Sequence, residues 1–169
     1  MNLESTIRSV YDFPIEGIDF KDITTLLKDK NAFRESIRQL AEVSGRDIDI
    51  VVGMEARGFI FGAPLAYEIG AGFVPVRKPG KLPAETINYE YSLEYGSDKL
   101  EMHKDAIVKG QKVIVVDDLL ATGGTAAATV KMIEELGGEI VGCLFLIELM
   151  DLEGRKELEG YKVDSIIKY

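Results

Sequence analysis

Short apolar runs alternate with amphipathic stretches along most of the chain. Runs rich in β-branched and aliphatic residues predict five buried strands, at residues 48–54, 73–77, 113–116, 140–148 and 163–167. Apolar positions spaced by three and four predict helices at residues 31–44, 58–69 and 125–136, and a shorter helix at residues 3–10. A glycine follows each of the three longer helices and marks its end.

Nearly continuous apolar strands that alternate with amphipathic helices are typical of a parallel sheet buried on both faces. We therefore predict an α/β fold with a mainly parallel sheet and helices on both of its faces. Ligands of such folds bind beyond the carboxyl ends of the strands. The chemistry is expected at residues 54–58, from Lys78 onward, and at residues 117–125.

The pattern changes between Lys78 and Lys112. Residues 78–83 have a loop-like composition, whereas residues 88–95 alternate as a strand does. Gly96-Ser97-Asp98 is a turn signal, after which residues 99–103 can return as a partner strand. A hairpin on a mobile stem is expected to form a flexible lid, at about residues 78–104, within a single domain of residues 1–169.

Composition and charge narrow the class of protein. A length of 169 residues fits one domain, and a formal net charge of −9 argues against a nucleic-acid or anionic-membrane surface. No apolar run reaches membrane-spanning length and the N-terminal segment lacks signal-peptide features, so the cytoplasm is the expected location. Cys143, the only cysteine, lies in an apolar run and is expected to be buried, and it can form no intramolecular disulfide.

The main candidate chemistry lies in residues 113–125. An apolar strand ends at Asp117 and Asp118, and a short loop leads into Thr122-Gly123-Gly124-Thr125 at the start of a predicted helix. Glycines let the backbone approach a phosphate closely, and the unpaired first-turn amides of a helix favour an anion. The segment has neither the lysine of a P-loop nor the G-x-G-x-x-G spacing of a dinucleotide fold.

The two adjacent acids narrow the ligand further. Asp117 and Asp118 would repel phosphate, so they are expected to face ribose hydroxyls, a carbocation-like anomeric carbon or a metal ion. A helix cap would explain one aspartate, but not two at the end of an apolar strand. A sugar phosphate satisfies both halves of the motif.

This segment resembles the signature of type I phosphoribosyltransferases. Four further segments agree with that family in the expected order, and the five together resemble its adenine-using members: Asp12-Phe13-Pro14 with residues 17–23, then residues 53–59, 77–83 and 91–96. The resemblance implies a purine salvage enzyme that transfers phosphoribosyl from 5-phosphoribosyl 1-diphosphate to adenine and forms AMP and diphosphate. Two alternatives stay open: transfer to hypoxanthine, guanine or xanthine, and a regulator that senses the donor without turning it over.

The same resemblance implies the residues that bind the donor. Asp117 and Asp118 would hold the ribose hydroxyls. The 5-phosphate would lie on five loop residues: Ala121, Thr122, Gly123, Gly124 and Thr125. The diphosphate would lie at Glu55, Ala56, Arg57, Lys78 and Lys81, with a cis-like peptide near Glu55-Ala56. The alternatives are a surface ion pair for Arg57 and a solvated basic turn for the lysines.

Adenine recognition and proton transfer rest on more distant segments. The resemblance implies that Asp19, Phe20 and Lys21 bind adenine, with Phe20 stacking on the ring and backbone groups reading its edge. Glu94 would approach adenine N7 and assist proton transfer, and Tyr95 would help to close the lid. Taken alone, Phe20 could be a core residue and Glu94 a solvated strand residue.

The resemblance completes the set of expected roles and partners. Glu94, Asp118 and Arg57 are the expected catalytic residues. Mg²⁺ is expected to arrive with the diphosphate, held mainly by substrate oxygens and water, and no protein side chain is assigned to it. The resemblance also implies a homodimer, and neither a nucleic acid nor a membrane is an expected partner.

Overall fold

The computed structural model describes residues 1–93 and 96–169, except for the side chain of Leu93. Their contacts divide the chain into two compact units, Met1–Gln39 and Leu40–Tyr169. The single domain expected from the sequence stays a prediction. In the part of the chain that the structure describes, no helix is long and apolar enough to cross a membrane.

The first unit is built on a small antiparallel hairpin. A 3-10 turn at Glu4–Thr6 precedes β1 (Arg8–Tyr11), which pairs with β2 (Asp19–Asp22) in the register Val10↔Phe20. The helix predicted at residues 3–10 is therefore wrong, because the backbone of residues 8–11 bonds across to β2. Two helices follow, α1 (Thr24–Leu27) and the start of α2 (Lys30–Val43), which confirms the helix predicted at 31–44.

The second unit contains a five-stranded parallel sheet, which confirms the predicted fold class. Its strands are β3 (Ile50–Met54), β4 (Gly72–Val76), β7 (Lys112–Leu120), β8 (Glu139–Glu148) and β9 (Val163–Lys168). Their order is β4-β3-β7-β8-β9 and every pairing is parallel. Two helices connect neighbouring strands: α3 (Arg57–Ile69) and α4 (Gly124–Glu135). Gly70 ends α3 in the left-handed region, as the sequence predicts.

The central strand β7 is longer than its apolar run. The sequence predicts a strand at residues 113–116, but pairing with β8 continues to Leu120↔Glu148. Asp117 and Asp118 therefore belong to the strand and inherit its fixed geometry. The interior of β7 is fully buried from Val113 to Val116, and Cys143 on β8 is buried as expected.

A second hairpin covers part of this unit. Strands β5 (Thr86–Leu93) and β6 (Gly96–His103) pair antiparallel over their full length, down to Leu93↔Gly96. The predicted turn at residues 96–98 is wrong, because these residues already pair with β5. Leu100 and Met102 are buried in the core, so the stem of the hairpin is anchored. Lid mobility stays a prediction.

Candidate active site

The predicted site lies where three neighbouring parallel strands end. β3 pairs with β4 through Met54↔Val76 and with β7 through Gly53↔Val116, so the residues after these strands meet at one edge. Two helices, α3 and α4, begin at that edge, and neither N-cap residue makes a side-chain capping bond. The first-turn amides of both helices are thus available to an anion.

The phosphate loop (residues 121–125) joins β7 to α4. Gly123 precedes the helix with a φ of 88°, a left-handed conformation that favours glycine. Gly124 faces the ring of Tyr91 on β5, since a Cβ at Gly124 would lie 3.3 Å from it. A pocket of about 220 Å³ opens over the loop, and its walls are Tyr91, Ser92, Leu119, Leu120, Ala121, Thr122, Gly123, Gly124, Thr125, Ala126 and Phe145. All five residues assigned to the 5-phosphate therefore line one pocket.

Asp118 and Arg57 are in direct contact. Arg57 Nε lies 2.8 Å from Asp118 Oδ2, and the Asp118 side chain is only 8% exposed, whereas that of Arg57 is 48% exposed. Arg57 does form an ion pair, as one interpretation of the sequence held, but its partner is the site carboxylate. The structure thus brings together two of the three residues that were assigned to catalysis.

Asp117 has a different environment from its neighbour. Its Oδ1 accepts the backbone N–H of Asp118 at 2.8 Å, and a Cβ at Gly58 would lie 2.9 Å from the same oxygen. Asp117 therefore lies against the first turn of α3, at a place where only glycine leaves room. Burial, and then the negative charge of Asp118, raise the pKa of Asp117 well above its usual range.

Glu55 ties the end of β3 to the end of β4. Its backbone N–H donates to Val76 O at 2.9 Å, and its Oε1 accepts the backbone N–H of Lys78 at 2.6 Å. The same oxygen lies 3.5 Å from Arg77 Nε. The peptide bond between Glu55 and Ala56 is cis, in agreement with the expectation from the resemblance. One carboxylate oxygen of Glu55 thus contacts both Arg77 and Lys78, which fixes the start of the basic loop against the end of β3.

The basic segment of residues 78–83 follows directly. Lys78 and Lys81 are exposed, and Gly80 between them has a φ of 81°. The Gly80 N–H donates to Glu101 Oε1 at 2.7 Å, which holds the segment to the hairpin strand β6. The two lysines therefore lie on a tethered loop next to Glu55, at the edge where the strands end.

The residues expected to bind adenine lie together on β2 in the first unit. Lys21 Nζ lies 2.8 Å from Asp19 Oδ2 and 2.9 Å from Ser9 Oγ, so the two opposite charges are paired. Phe20 is half-buried, and its ring meets that of Phe13 edge-on at a centroid distance of 5.2 Å. Phe20 is therefore not a fully buried core residue, and its role in base stacking stays a prediction.

The segment between β5 and β6 carries two of the residues assigned from the resemblance. Glu94 and Tyr95 lie outside the described residues. Tyr91 lines the phosphate pocket, a position that the sequence does not predict. Its alternation with Tyr89 along β5 marks one strand face, but only the tertiary fold places that face on Gly124.

Comparison with known protein families shows which family has this combination of fold and site. The family described as phosphoribosyl transferase domain matches residues 22–169 of the chain. The chain belongs to the phosphoribosyltransferase family. The fold class and the family inferred from the signature at residues 113–125 are both confirmed.

Several phosphoribosyltransferases that resemble this chain over its full length are named adenine phosphoribosyltransferase. The adenine phosphoribosyltransferase of Alkaliphilus metalliredigens is 66% identical over 170 residues, which cover 100% of both chains. The crystal structure of the enzyme from Thermoanaerobacter pseudethanolicus has a TM-score of 0.95 at 59% identity and covers 99% of this chain and 98% of that one. The Saccharomyces cerevisiae enzyme, complexed with an imino-altritol bisphosphate and adenine, has a TM-score of 0.92 at 41% identity, with 97% and 96% covered.

Proposed function

We propose that this phosphoribosyltransferase transfers the phosphoribosyl group of 5-phosphoribosyl 1-diphosphate to adenine and releases AMP and diphosphate. The observation that carries the proposal is the meeting of the phosphate loop, the Asp117-Asp118 pair and Arg57 at one sheet edge. Relatives at 59–66% identity are named adenine phosphoribosyltransferase, which supports adenine as the acceptor. The yeast relative was crystallised with adenine and the Giardia lamblia relative, 32% identical, with 9-deazaadenine.

The donor would be held at both of its ends. The 5-phosphate would bind the first-turn amides of α4 and the hydroxyls of Thr122 and Thr125. The ribose hydroxyls would donate to Asp117 and Asp118. The diphosphate would lie at the start of α3, near Arg57 and the loop that carries Lys78 and Lys81. The anomeric carbon would then lie between the two sheet acids and the leaving group.

Bond breaking would be assisted by charge more than by a nucleophile. As the bond from the anomeric carbon to diphosphate lengthens, positive charge grows on the ribose and negative charge on the leaving oxygen. The carboxylates stabilise the first charge and Arg57 the second. A guanidinium carries five N–H donors, so Arg57 can bridge Asp118 and a diphosphate oxygen. The same carboxylate would thus orient the cation that helps the diphosphate to leave.

The base and metal roles complete the proposal. Phe20 would stack on adenine, and Glu94 would assist proton transfer at N7 as the ring nitrogen bonds to the anomeric carbon. Mg²⁺ would arrive on the diphosphate, held mainly by substrate oxygens and water.

The reaction is tested by supplying the purified protein with adenine, 5-phosphoribosyl 1-diphosphate and Mg²⁺, and measuring both products. We expect AMP and diphosphate in equal amounts, and none when Mg²⁺ is chelated. Asp118→Asn serves as the control against contaminating activity. It should lower kcat/KM on the order of a hundredfold, because a charge that stabilises the transition state is lost.

The same control separates function from folding. Asp118 is attracted by a half-exposed arginine and repelled by the neighbouring Asp117, so the loss of its charge removes one favourable and one unfavourable interaction. The melting temperature of Asp118→Asn should therefore fall by no more than about 4 °C. Full activity in this variant, or a collapse of its stability, would remove Asp118 from the proposed role.

The setting of the enzyme is also a proposal. We infer a cytoplasmic homodimer, as the resemblance implies. Cys143 is the only cysteine and is fully buried, so no intramolecular disulfide can form and the chain requires no oxidising compartment. Sedimentation should give twice the chain mass of 18.7 kDa, and a single-chain mass at micromolar concentration would contradict the dimer.

A further inference from the structure

The phosphate loop lies in backbone contact with a short 3-10 segment, Gly154–Leu158, which follows β8. A Cβ at Gly123 would lie 2.5 Å from the carbonyl oxygen of Gly154, and 3.0 Å from Glu157 Cβ. A Cβ at Gly154 would in turn overlap the carbonyl oxygen of Ala121. The two glycines thus allow two stretches of main chain to touch, and neither position has room for a side chain.

Position 154 requires glycine because of this close contact and not because of its backbone conformation. Gly123 has a positive φ of 88°, so its conformation would favour glycine even in open space. Gly154 has no such φ, and its backbone conformation would accept alanine without strain. What excludes alanine at Gly154 is the proximity of Ala121 and Leu120, whose Cγ would lie 3.0 Å from the added Cβ.

The 3-10 segment is itself fixed to the sheet by Arg155. Its Nε donates to Glu148 Oε1 at 2.7 Å and its Nη2 donates to Glu148 Oε2 at 2.9 Å, which makes a bidentate pair. Its Nη1 donates to the carbonyl oxygen of Val163 on β9 at 2.9 Å. The Ser165 hydroxyl also donates to Glu148 Oε2. Arg155 therefore connects the segment to both β8 and β9.

Glu148 stands at the right place to transmit this support. It is the last residue of β8, 2% exposed, and the register partner of Leu120, which directly precedes the phosphate loop. At the other end of the segment, Leu158 is 1% exposed within the hydrophobic core. The segment is thus anchored at both ends and presents its backbone to the loop.

We propose that the segment Gly154–Leu158, held by the Arg155–Glu148 pair, is a buttress that fixes the phosphate loop in its anion-binding conformation. Gly154, Arg155 and Glu148 are then positioning residues for the phosphoribosyl donor, and this inference rests on the proposed function. The backbone amides of the phosphate loop, unlike the hydroxyls of Thr122 and Thr125, cannot adjust to the ligand through a change of side-chain rotamer. Their precision has to come from the structure behind the loop.

The first test displaces the loop from behind with Gly154→Ala. Alanine has to push the phosphate loop away from the segment, whereas the matched variant Gly142→Ala on β8 places its Cβ 3.5 Å from the nearest atom, an ordinary contact. Calorimetry with ribose 5-phosphate and, separately, with diphosphate gives two dissociation constants. In Gly154→Ala we expect the constant for ribose 5-phosphate to rise on the order of tenfold, with that for diphosphate unchanged. Gly142→Ala should change neither constant.

The second test, Arg155→Lys, keeps the charge but removes the bidentate geometry. Its matched control is Arg38→Lys on α2, which alters the exposed bidentate pair with Glu35. We expect Arg155→Lys to raise the ribose 5-phosphate constant and the KM for the donor, with a smaller change in kcat. This variant keeps the inference testable if Gly154→Ala does not fold.

Two results would overturn the buttress. One is an unchanged ribose 5-phosphate constant in both variants. The other is an equal loss for ribose 5-phosphate and diphosphate, which would indicate a general loss of structure. Failure of the proposed function looks different. In that case the wild type and both control variants make no AMP, while the ratio of the two dissociation constants still decides whether the buttress supports the loop.

Discussion

At the scale of single residues, two adjacent aspartates with the same chemistry have different environments. Asp118 meets Arg57 at 2.8 Å, while Asp117 lies against Gly58 at the start of α3. The two carboxylates still lie close enough to interact, since burial, and then the charge of Asp118, raise the pKa of Asp117, so both acids can serve one ribose although their other partners differ. The sequence indicates that both acids serve a ribose. Only the extension of β7 to Leu120 explains why their partners differ.

The pKa of Asp117 leads to a prediction for stability. Burial, and then Asp118, raise this pKa in the folded protein above that of the unfolded chain. Asp117 therefore contributes stability below the unfolded pKa of about 4, and that contribution is lost as the pH rises through the folded pKa. Asp117→Asn removes the cost of ionisation and still offers Oδ1 to the Asp118 N–H.

We expect Asp117→Asn without ligand to melt at a higher temperature than the wild type at pH 7, by a few degrees, with the two curves converging near pH 4. Thermal unfolding monitored by circular dichroism across this range measures the difference. A wild type that is the more stable protein at neutral pH would show that the Asp117 carboxylate is stabilised in the fold, opposite to the sign argued here.

At the scale of elements, apolar periodicity predicts the parallel strands and the long helices well because each of them buries a regular series of apolar side chains. It fails where pairing, rather than burial, decides the structure. Residues 8–11 join β2 through backbone bonds, and residues 96–98 complete a hairpin although their composition is typical of a turn.

The phosphate loop was predictable because its glycines and acids stand next to each other in sequence. The buttress was not, since Gly154 lies 31 positions beyond Gly123.

The basic loop between β4 and β5 gives a second prediction at this scale. Glu101 on β6 accepts the Gly80 N–H and the Thr86 hydroxyl, and these two bonds, that from Thr86 first, hold the pKa of Glu101 below its usual range. Glu101→Ala should free the loop that carries Lys81. Binding then has to order the loop again, so the KM for the donor should rise about threefold to tenfold with little change in kcat.

Limited proteolysis measures the flexibility of the same loop independently of enzyme activity. Trypsin should cleave after Lys81 faster in Glu101→Ala than in the wild type, whereas alanine at the exposed Glu159 should leave that rate unchanged. Equal cleavage rates in all three proteins would mean that Glu101 does not restrain the loop.

At the scale of the whole molecule, an acidic chain would bind a highly anionic donor through a few local groups of positive charge or positive potential. The net charge is −9, yet two uncapped helix N-termini, Arg57 and the lysine-bearing loop converge on one sheet edge. The motif at residues 113–125 specifies the donor only. The choice of adenine depends on the resemblance at Phe20 and Glu94 and on the names of full-length relatives. Neither residue carries a side-chain pattern that would itself select one purine.

The central claim is therefore tested most directly by competition between bases. Equal concentrations of adenine, hypoxanthine, guanine and xanthine are mixed with a limiting amount of 5-phosphoribosyl 1-diphosphate, Mg²⁺ and the protein, and the nucleotides are separated and quantified. The product ratio gives the ratio of kcat/KM values, and a site built for one base discriminates on the order of 10⁴-fold. We expect AMP to be essentially the sole nucleotide. A mixture rich in IMP, GMP or XMP would contradict adenine specificity, and donor binding with no nucleotide at all would contradict catalysis.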